Sequence, residues 1–167
     1  KNNAKAAKYL NSPESDIYSK SKVLYGLFFS KNSIVKKDRC LLVEGYTDVV
    51  SMHQSGIENV VASSGTSLTV EQIKLIKRFT NNITLLFDGD AAGIKAALRG
   101  VNLILQEGMN VKVLTFPAGE DPDSYAKKVS SEDFENYITK QSKDFIEFKC
   151  SLLLEEAKED PIKRAEL

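Results

Sequence analysis

The chain is poor in the residues that covalent catalysis usually needs. It has one histidine, His53, which sits late in a stretch of helical pattern, away from any strand end. A surface or half-buried structural role suits it better than catalysis, and no Ser/His/Asp or Cys/His set can be assembled around it. Its two cysteines, Cys40 and Cys150, are far apart and outside any CxxC pair. That spacing gives neither a zinc site nor a disulfide framework, and it fits a reducing cytoplasm. No apolar run approaches the ~20 residues of a membrane span, and no secretory pattern opens the sequence. Internal repeats and low-complexity tracts are also missing.

What remains is the composition of an ordinary globular protein, 167 residues with 42% hydrophobic and 28% charged, enough for one domain with a proper core plus appendages. The net charge of zero hides an asymmetry. Residues 1–40 carry 9 Lys/Arg against 3 Asp/Glu, a net of +6, and residues 41–167 carry 14 against 20, a net of −6. A basic segment beside an acidic body suits a site that holds polyanions against metal-loaded carboxylates, although on charge alone a solvated basic surface is the better account. The first residue is Lys1, and a helical pattern runs to Leu167, so the chain reads as part of a longer protein.

Periodicity predicts alternating strands and helices. Residues 1–22 are polar and turn-rich, and the apolar stretch Val23–Phe29 is expected to form a short helix running into a turn at Lys36–Arg39. Strands are expected at 40–44, 59–63, 83–87 and 111–115, with helices at about 47–55, 69–80, 91–106, 131–138 and 143–158. Thr69 and Gln72 have capping-box spacing, and Gly108 closes the long helix. Strands alternating with helices imply βαβ units, so the expected fold is α/β, an about four-stranded parallel sheet flanked by helices.

Two acidic patterns stand out, Glu44-Gly45-Tyr46-Thr47-Asp48 and Asp88-Gly89-Asp90. Each follows directly on a short apolar run that reads as a buried parallel strand. A third acidic stretch, Glu120-Asp121-Pro122-Asp123, follows the fourth strand. In open α/β sheets ligands bind outside the carboxyl ends of the strands. Carboxylates gathered there repel one another unless protons or cations lie between them, and Mg²⁺ favours such hard oxygen ligands. Each pattern has a plainer explanation. Asp is a preferred helix N-cap, Asp-Pro forms turns, and Asp88-x-Asp90 could be a phosphoryl-accepting pair, although Ala92 stands where such enzymes usually carry Thr or Val. It is the combination of three acidic strand ends that favours a metal site. Lys8, Lys20 and Lys22 read as phosphate contacts or as ordinary surface lysines.

Together these residues resemble a TOPRIM domain, the metal-binding unit of primases, topoisomerases and some nucleases. The segments Lys8–Glu14, Leu24–Leu27, Val43–Val49, Val61–Thr66 and Gly119–Asp123 are similar to the RNA polymerase core of the bacterial replicative primases. The resemblance runs from about Lys8 to Lys128. It implies a remnant of the N-terminal core subdomain at 1–39, a TOPRIM domain at 40–128 and the start of a helical subdomain at 129–167. It also implies Glu44, Asp88 and Asp90 as the catalytic and principal metal-binding acids, with Asp48, Asp121 and Asp123 as further acids of the same site. Lys8, Asn11 and Lys20 would line the nucleotide and template side. Ala91 departs from the family, where many relatives carry Arg.

The implied activity is metal-dependent synthesis of short RNA primers on single-stranded DNA from ribonucleoside triphosphates, using Mg²⁺ with Mn²⁺ as an alternative ion. Zinc would belong to a separate N-terminal domain, and a replicative helicase would be met through a separate C-terminal domain. The expected place is the cytoplasm, at the replication fork, with no membrane partner. By itself this stretch is expected to be weakly active or inactive. A TOPRIM nuclease or topoisomerase fragment, and a non-catalytic nucleic-acid-binding module, remain as alternatives.

Overall fold

The computed structural model describes residues 12–63, 67–87, 91–117 and 119–159. A sheet runs through the centre in the order β2-β1-β3-β4-β5. Its strands are β1 (Cys40–Val43), β2 (Val60–Ala62), β3 (Asn82–Phe87), β4 (Asn110–Thr115) and β5 (Lys143–Asp144). The first four are parallel, with Leu41 opposite both Val60 and Thr84, and Ile83 opposite Val111. The two-residue β5 joins the edge antiparallel to β4. The helices are α1 (Leu27–Lys37), α2 (Tyr46–Gln54), α3 (Val70–Lys77), α4 (Ala91–Gln106), α5 (Pro122–Ala126), α6 (Ser131–Gln141) and α7 (Phe145–Glu159).

Strand alternation sorts the core into two layers, because successive side chains leave a strand on opposite faces. Cys40 and Leu42 of β1, Ile83, Leu85 and Phe87 of β3, and Val111 and Val113 of β4 pack against Ile73 and Ile76 of α3, Ala97, Val101 and Ile104 of α4, and Phe148 of α7. Leu41 and Val43, with Leu86 and Leu114, pack against Val49 and Met52 of α2, Ala126 of α5 and Phe134 and Ile138 of α6. Both faces of β1 are therefore dry, which is why its sequence is unbroken aliphatic rather than alternating. Burial also holds the Cys40 thiol far above its usual range, so it behaves as a small apolar side chain.

The structure departs from expectation at the amino end of this region. The run from Val23 is not helical at its start. Tyr25 instead exchanges two backbone hydrogen bonds with Ala62, of 2.9 and 3.1 Å, alongside β2. The helix begins only after Gly26, whose φ of 84° and crowded surroundings (a Cβ there would lie 2.8 Å from Val49 Cγ1) suit no other residue. It then continues through Lys36 and Lys37 and closes on Asp38. The capping box at Thr69 and Gln72 forms as expected, with bonds of 3.2 and 3.1 Å. His53 is half-buried and lies 3.1 Å from the Ser30 hydroxyl. Among the described residues no helix is long and apolar enough to cross a membrane.

From β1 the chain moves outward to β2, then returns past β1 to β3 and β4. The gap between the carboxyl ends of β1 and β3 is thus the switch point of the sheet, where crossovers diverge and leave a crevice. Glu44 follows β1 directly, and in sequence Asp88 follows β3 directly.

Candidate metal centre

Glu44 is the first residue beyond β1 and is exposed. Gly45 then caps α2, donating its N–H to Asp48 Oδ2 at 3.1 Å. Asp48 thereby serves the positive end of the α2 dipole while its carboxylate stays at the rim. A Cβ at position 45 would lie 3.0 Å from that same oxygen, so glycine keeps the turn open. Beyond β4 the chain reaches α5, a short helix that starts with Asp121 as N-cap and Pro122 in the first turn. Asp121 Oδ1 accepts the Ser124 N–H at 2.6 Å.

These two helix starts face each other across the rim. Glu44, Gly45, Asp48, Leu86, Asp121 and Pro122 line one pocket of about 240 Å³. No Lys or Arg among the described residues lines it. The cations nearby are engaged with other acids. Lys127 donates to Asp123 Oδ2 at 2.6 Å, and Lys128 bonds Glu120. The Lys128 bond first, and the Ser124 hydroxyl donating to Glu120 Oε2 at 2.7 Å second, hold the Glu120 carboxyl below its usual range. Asp123 also accepts a hydrogen bond from Ser51, which ties α5 to α2. On the other side of the Glu44–Gly45 turn lies a larger cleft of about 490 Å³, lined by Leu42, Phe87, Leu68, Ser63, Ser67 and Arg99 among others.

The donor set suits a hard divalent ion, because such an ion prefers carboxylate oxygens. No group of three acidic, His or Cys side chains among the described residues is arranged to hold a metal by itself. Asp88 and Asp90, which follow β3 in sequence, lie outside the described residues.

Comparison with known proteins identifies the scaffold. Residues 41–126 match the family described as Toprim-like. The chain belongs to that family, among the bacterial DnaG-type primases. Residues 1–31 match the DNA primase catalytic core, N-terminal domain. The chain is 44% identical over 149 residues to the DNA primase of Staphylococcus aureus, a match spanning 89% of this chain and 25% of the relative. A DNA primase domain from Pseudomonas aeruginosa superposes with a TM-score of 0.83 at 39% identity, covering 95% of this chain and 50% of that one. A DnaG primase catalytic domain solved with single-stranded DNA gives 0.81 at 39% identity, over 95% and 52%. The chain thus spans about a quarter of the curated relatives it matches.

Within this primase-type core, the acids expected to meet divide into three groups. Glu44, Asp48 and Asp121 share one pocket. Asp123 does not line it, and its carboxylate is bonded to Ser51 and Lys127. Asp88 and Asp90 fall outside the described residues, as do Lys8 and Asn11. Lys20 lies in a 3-10 turn, Lys20–Lys22, stitched to the start of α3, where its carbonyl accepts from Gln72 Nε2 at 2.9 Å. Ser51, Ser67 and Arg99 escaped the sequence reading. Arg99 carried a usable signal, as a cation on the long amphipathic helix that follows the Asp88-x-Asp90 pattern.

Proposed function

We propose that the protein containing this chain makes short RNA primers on single-stranded DNA, and that its chemistry occurs at the carboxyl rim of the sheet. The observation that carries this reading is the meeting of Glu44, Asp48 and Asp121 around one pocket at the switch point of a primase-type core. The reaction is nucleotidyl transfer. The 3′-hydroxyl oxygen of one ribonucleotide forms a bond to the α-phosphorus of the next as its proton passes to water, the α–β phosphoanhydride bond breaks, and pyrophosphate departs.

Glu44, Asp88 and Asp90 would hold Mg²⁺, or Mn²⁺ in its place, with Asp48 and Asp121 adding oxygens at the pocket wall. A divalent ion held by these residues would supply Lewis acidity toward the attacking hydroxyl and positive charge against the phosphates and leaving group. The α2 start keeps Asp48 oriented through its bond to Gly45, and the α5 start does the same for Asp121 through Ser124. Asp123, linked to both Ser51 and Lys127, ties α5 to α2 and is proposed as a further acid of the same site. Lys8, Asn11 and Lys20 would position phosphates on the nucleotide and template side. Base pairing carries the sequence information, so few base-reading side chains are required.

On this reading residues 1–39 close the N-terminal part of the polymerase core, 40–128 form the TOPRIM unit, and 129–167 open a helical subdomain. The matches at 1–31 and 41–126 support the first two divisions. Single-stranded DNA and ribonucleoside triphosphates are the proposed substrates. Zinc and the replicative helicase are assigned to domains beyond this chain, and the proposed location is the cytoplasm.

The test is a primer-synthesis assay with Mg²⁺ on single-stranded DNA, using the full-length protein and its Glu44→Ala variant, beside a DNA-cleavage assay. Primer synthesis by the parent and not the variant, with no cleavage by either, supports the reading. Retained synthesis in the variant contradicts it, and Mg²⁺-dependent cleavage in place of synthesis would make this a nuclease.

A further inference from the structure

The Glu44–Gly45 turn is a ridge between two cavities, of which the proposed metal chemistry uses one. The second, the cleft of about 490 Å³, lies on the α3–α4 side of the sheet. Its walls are largely apolar, from Leu42, Leu68, Phe87 and Ala96. They are closed at the α4 end by Gly100, where even a Cβ would lie 3.4 Å from Leu85 Cδ1 and 3.7 Å from Leu68 Cδ2. Its charged lining groups are Glu44 at one side and Arg99 on α4. Arg99 is exposed, and its one hydrogen bond among the described residues is a long one, from Nη1 to Ser67 Oγ at 3.4 Å. It forms no ion pair with a described residue. A guanidinium carries five N–H donors in a planar fork. Most of that capacity is therefore without a partner among the described residues, at the edge of the cleft that Arg99 lines.

The 3.4 Å bond to Ser67 is long and exposed, so it holds the guanidinium only weakly. The cleft has the size of a small-ligand site, an acidic edge that would be metal-loaded, one phosphate-matching fork, and an apolar wall for a flat ring. A nucleotide has those same parts.

We propose that Arg99 is a phosphate-binding residue of the primer-synthesis site. It pairs with phosphate oxygens of a ribonucleoside triphosphate lying in this cleft, and the Ser67 hydroxyl steers the guanidinium toward it. The inference rests on the reading of the carboxyl rim as a primase site. It adds a cation on the α3–α4 side of Glu44, where that reading placed none.

The experiment compares full-length wild type with Arg99→Ala, Arg99→Lys and Ser67→Ala. Four quantities are read: binding of a fluorescent ribonucleoside triphosphate analogue, the KM for ribonucleoside triphosphate, the affinity for single-stranded DNA by anisotropy, and the melting temperature. Arg99→Ala is expected to weaken nucleotide binding and raise KM about 10- to 100-fold, the range of a lost charge-assisted hydrogen-bond pair. DNA affinity and melting temperature should be unchanged. Arg99→Lys should recover part of the loss, since a lysine restores the charge without the fork, and Ser67→Ala should lose a few-fold at most. Unchanged nucleotide binding in Arg99→Ala overturns the proposal. So does a loss confined to DNA affinity, which would make Arg99 a strand contact, or a loss that follows a lowered melting temperature. Glu44→Ala in the same assays reports on the primase reading separately. If it keeps full synthesis, that reading fails, whereas normal Arg99→Ala binding beside an inactive Glu44→Ala removes only the role of Arg99.

Discussion

The two rims of the sheet hold cavities and charged groups alike, yet they solve opposite electrostatic problems. At the amino rim a cavity of about 530 Å³ is lined by Lys37, Arg39 and Lys112 together with Asp38 and Glu135. Here opposite charges meet. Glu135 bonds both Lys37 and Arg39, the latter at 2.5 Å. Asp38 accepts from Thr80 Oγ1 at 2.7 Å and from Asn82 Nδ2 at 3.0 Å. At the carboxyl rim the pocket between α2 and α5 gathers Glu44, Asp48 and Asp121 with no described cation in its lining. The nearby lysines neutralise Glu120 and Asp123 instead. Cavity size thus says little about which rim is functional. The acidic pocket gathers negative charge, which the proposed divalent ion would neutralise.

The sharpest way to break this comparison is to remove one acid from each rim of the full-length protein. Glu44→Ala should lower primer synthesis ~10²–10³-fold or more, as loss of a principal electrostatic group at a reacting centre does. Because Glu44 is exposed, thermal unfolding should barely move. Glu135→Gln should leave synthesis within a factor of two, since it lies at the opposite rim. Equal losses from the two variants would erase the distinction.

Packing beneath the rims gives the next largest effect. Phe134 of α6 is fully buried among Phe116, Tyr125 and the second core layer. Phe134→Ala should cost about 3–5 kcal/mol in urea unfolding, from lost transfer energy plus the cavity left behind. A loss below about 1 kcal/mol would mean that α6 is not docked as described.

A helix start at the carboxyl rim should matter less. Thr69 caps α3 and also donates its hydroxyl to the Ser21 carbonyl at 2.6 Å. Thr69→Ala should cost about 1 kcal/mol.

The smallest effect sharpens the account of the amino rim. Burial works to raise the Glu135 pKa, but the Lys37 bond and the Arg39 charge outweigh it and hold the carboxyl below its ordinary value. A depressed folded-state pKa stabilises above the unfolded value and loses that contribution as pH falls through the folded one. Glu135→Gln should therefore cost about 0.5–1 kcal/mol near neutral pH. The gap from wild type should close below the usual glutamate range, as measured by unfolding at a series of acid pH values. A gap that widened in acid would reverse the sign.

Much of the scaffold was legible because burial on both faces writes an unmistakable pattern. Leu41-Leu42-Val43 and Ile83–Phe87 admit few readings other than central strands, and the acids just past them follow from topology. Elements held by tertiary contacts were harder to read. Lys143–Asp144 is two polar residues, without period or apolar content, and becomes a strand only because β4 offers an open edge. Tyr25 was grouped with a helix by its apolar neighbours, yet its backbone pairs with Ala62. The helix α5 had a readable signature in Asp121-Pro122-Asp123-Ser124, a cap residue followed by proline, which the acidic reading of the same residues obscured. At the site, residue type identified the acids, but only coordinates separate Asp121, which lines the pocket, from Asp123, which is bonded to Ser51 and Lys127. Arg99 had a signal as a cation on the helix after Asp88-x-Asp90, but its neighbour Ser67 became visible only in the fold.

The most direct test is to locate manganese by anomalous diffraction in crystals of the chain soaked in Mn²⁺. Density should appear at the carboxyl ends of β1 and β3, within ligand distance of Glu44 and of Asp88 or Asp90, and should be lost in Glu44→Ala crystals. Manganese bound elsewhere, or an empty carboxyl rim at saturating Mn²⁺, would contradict the account.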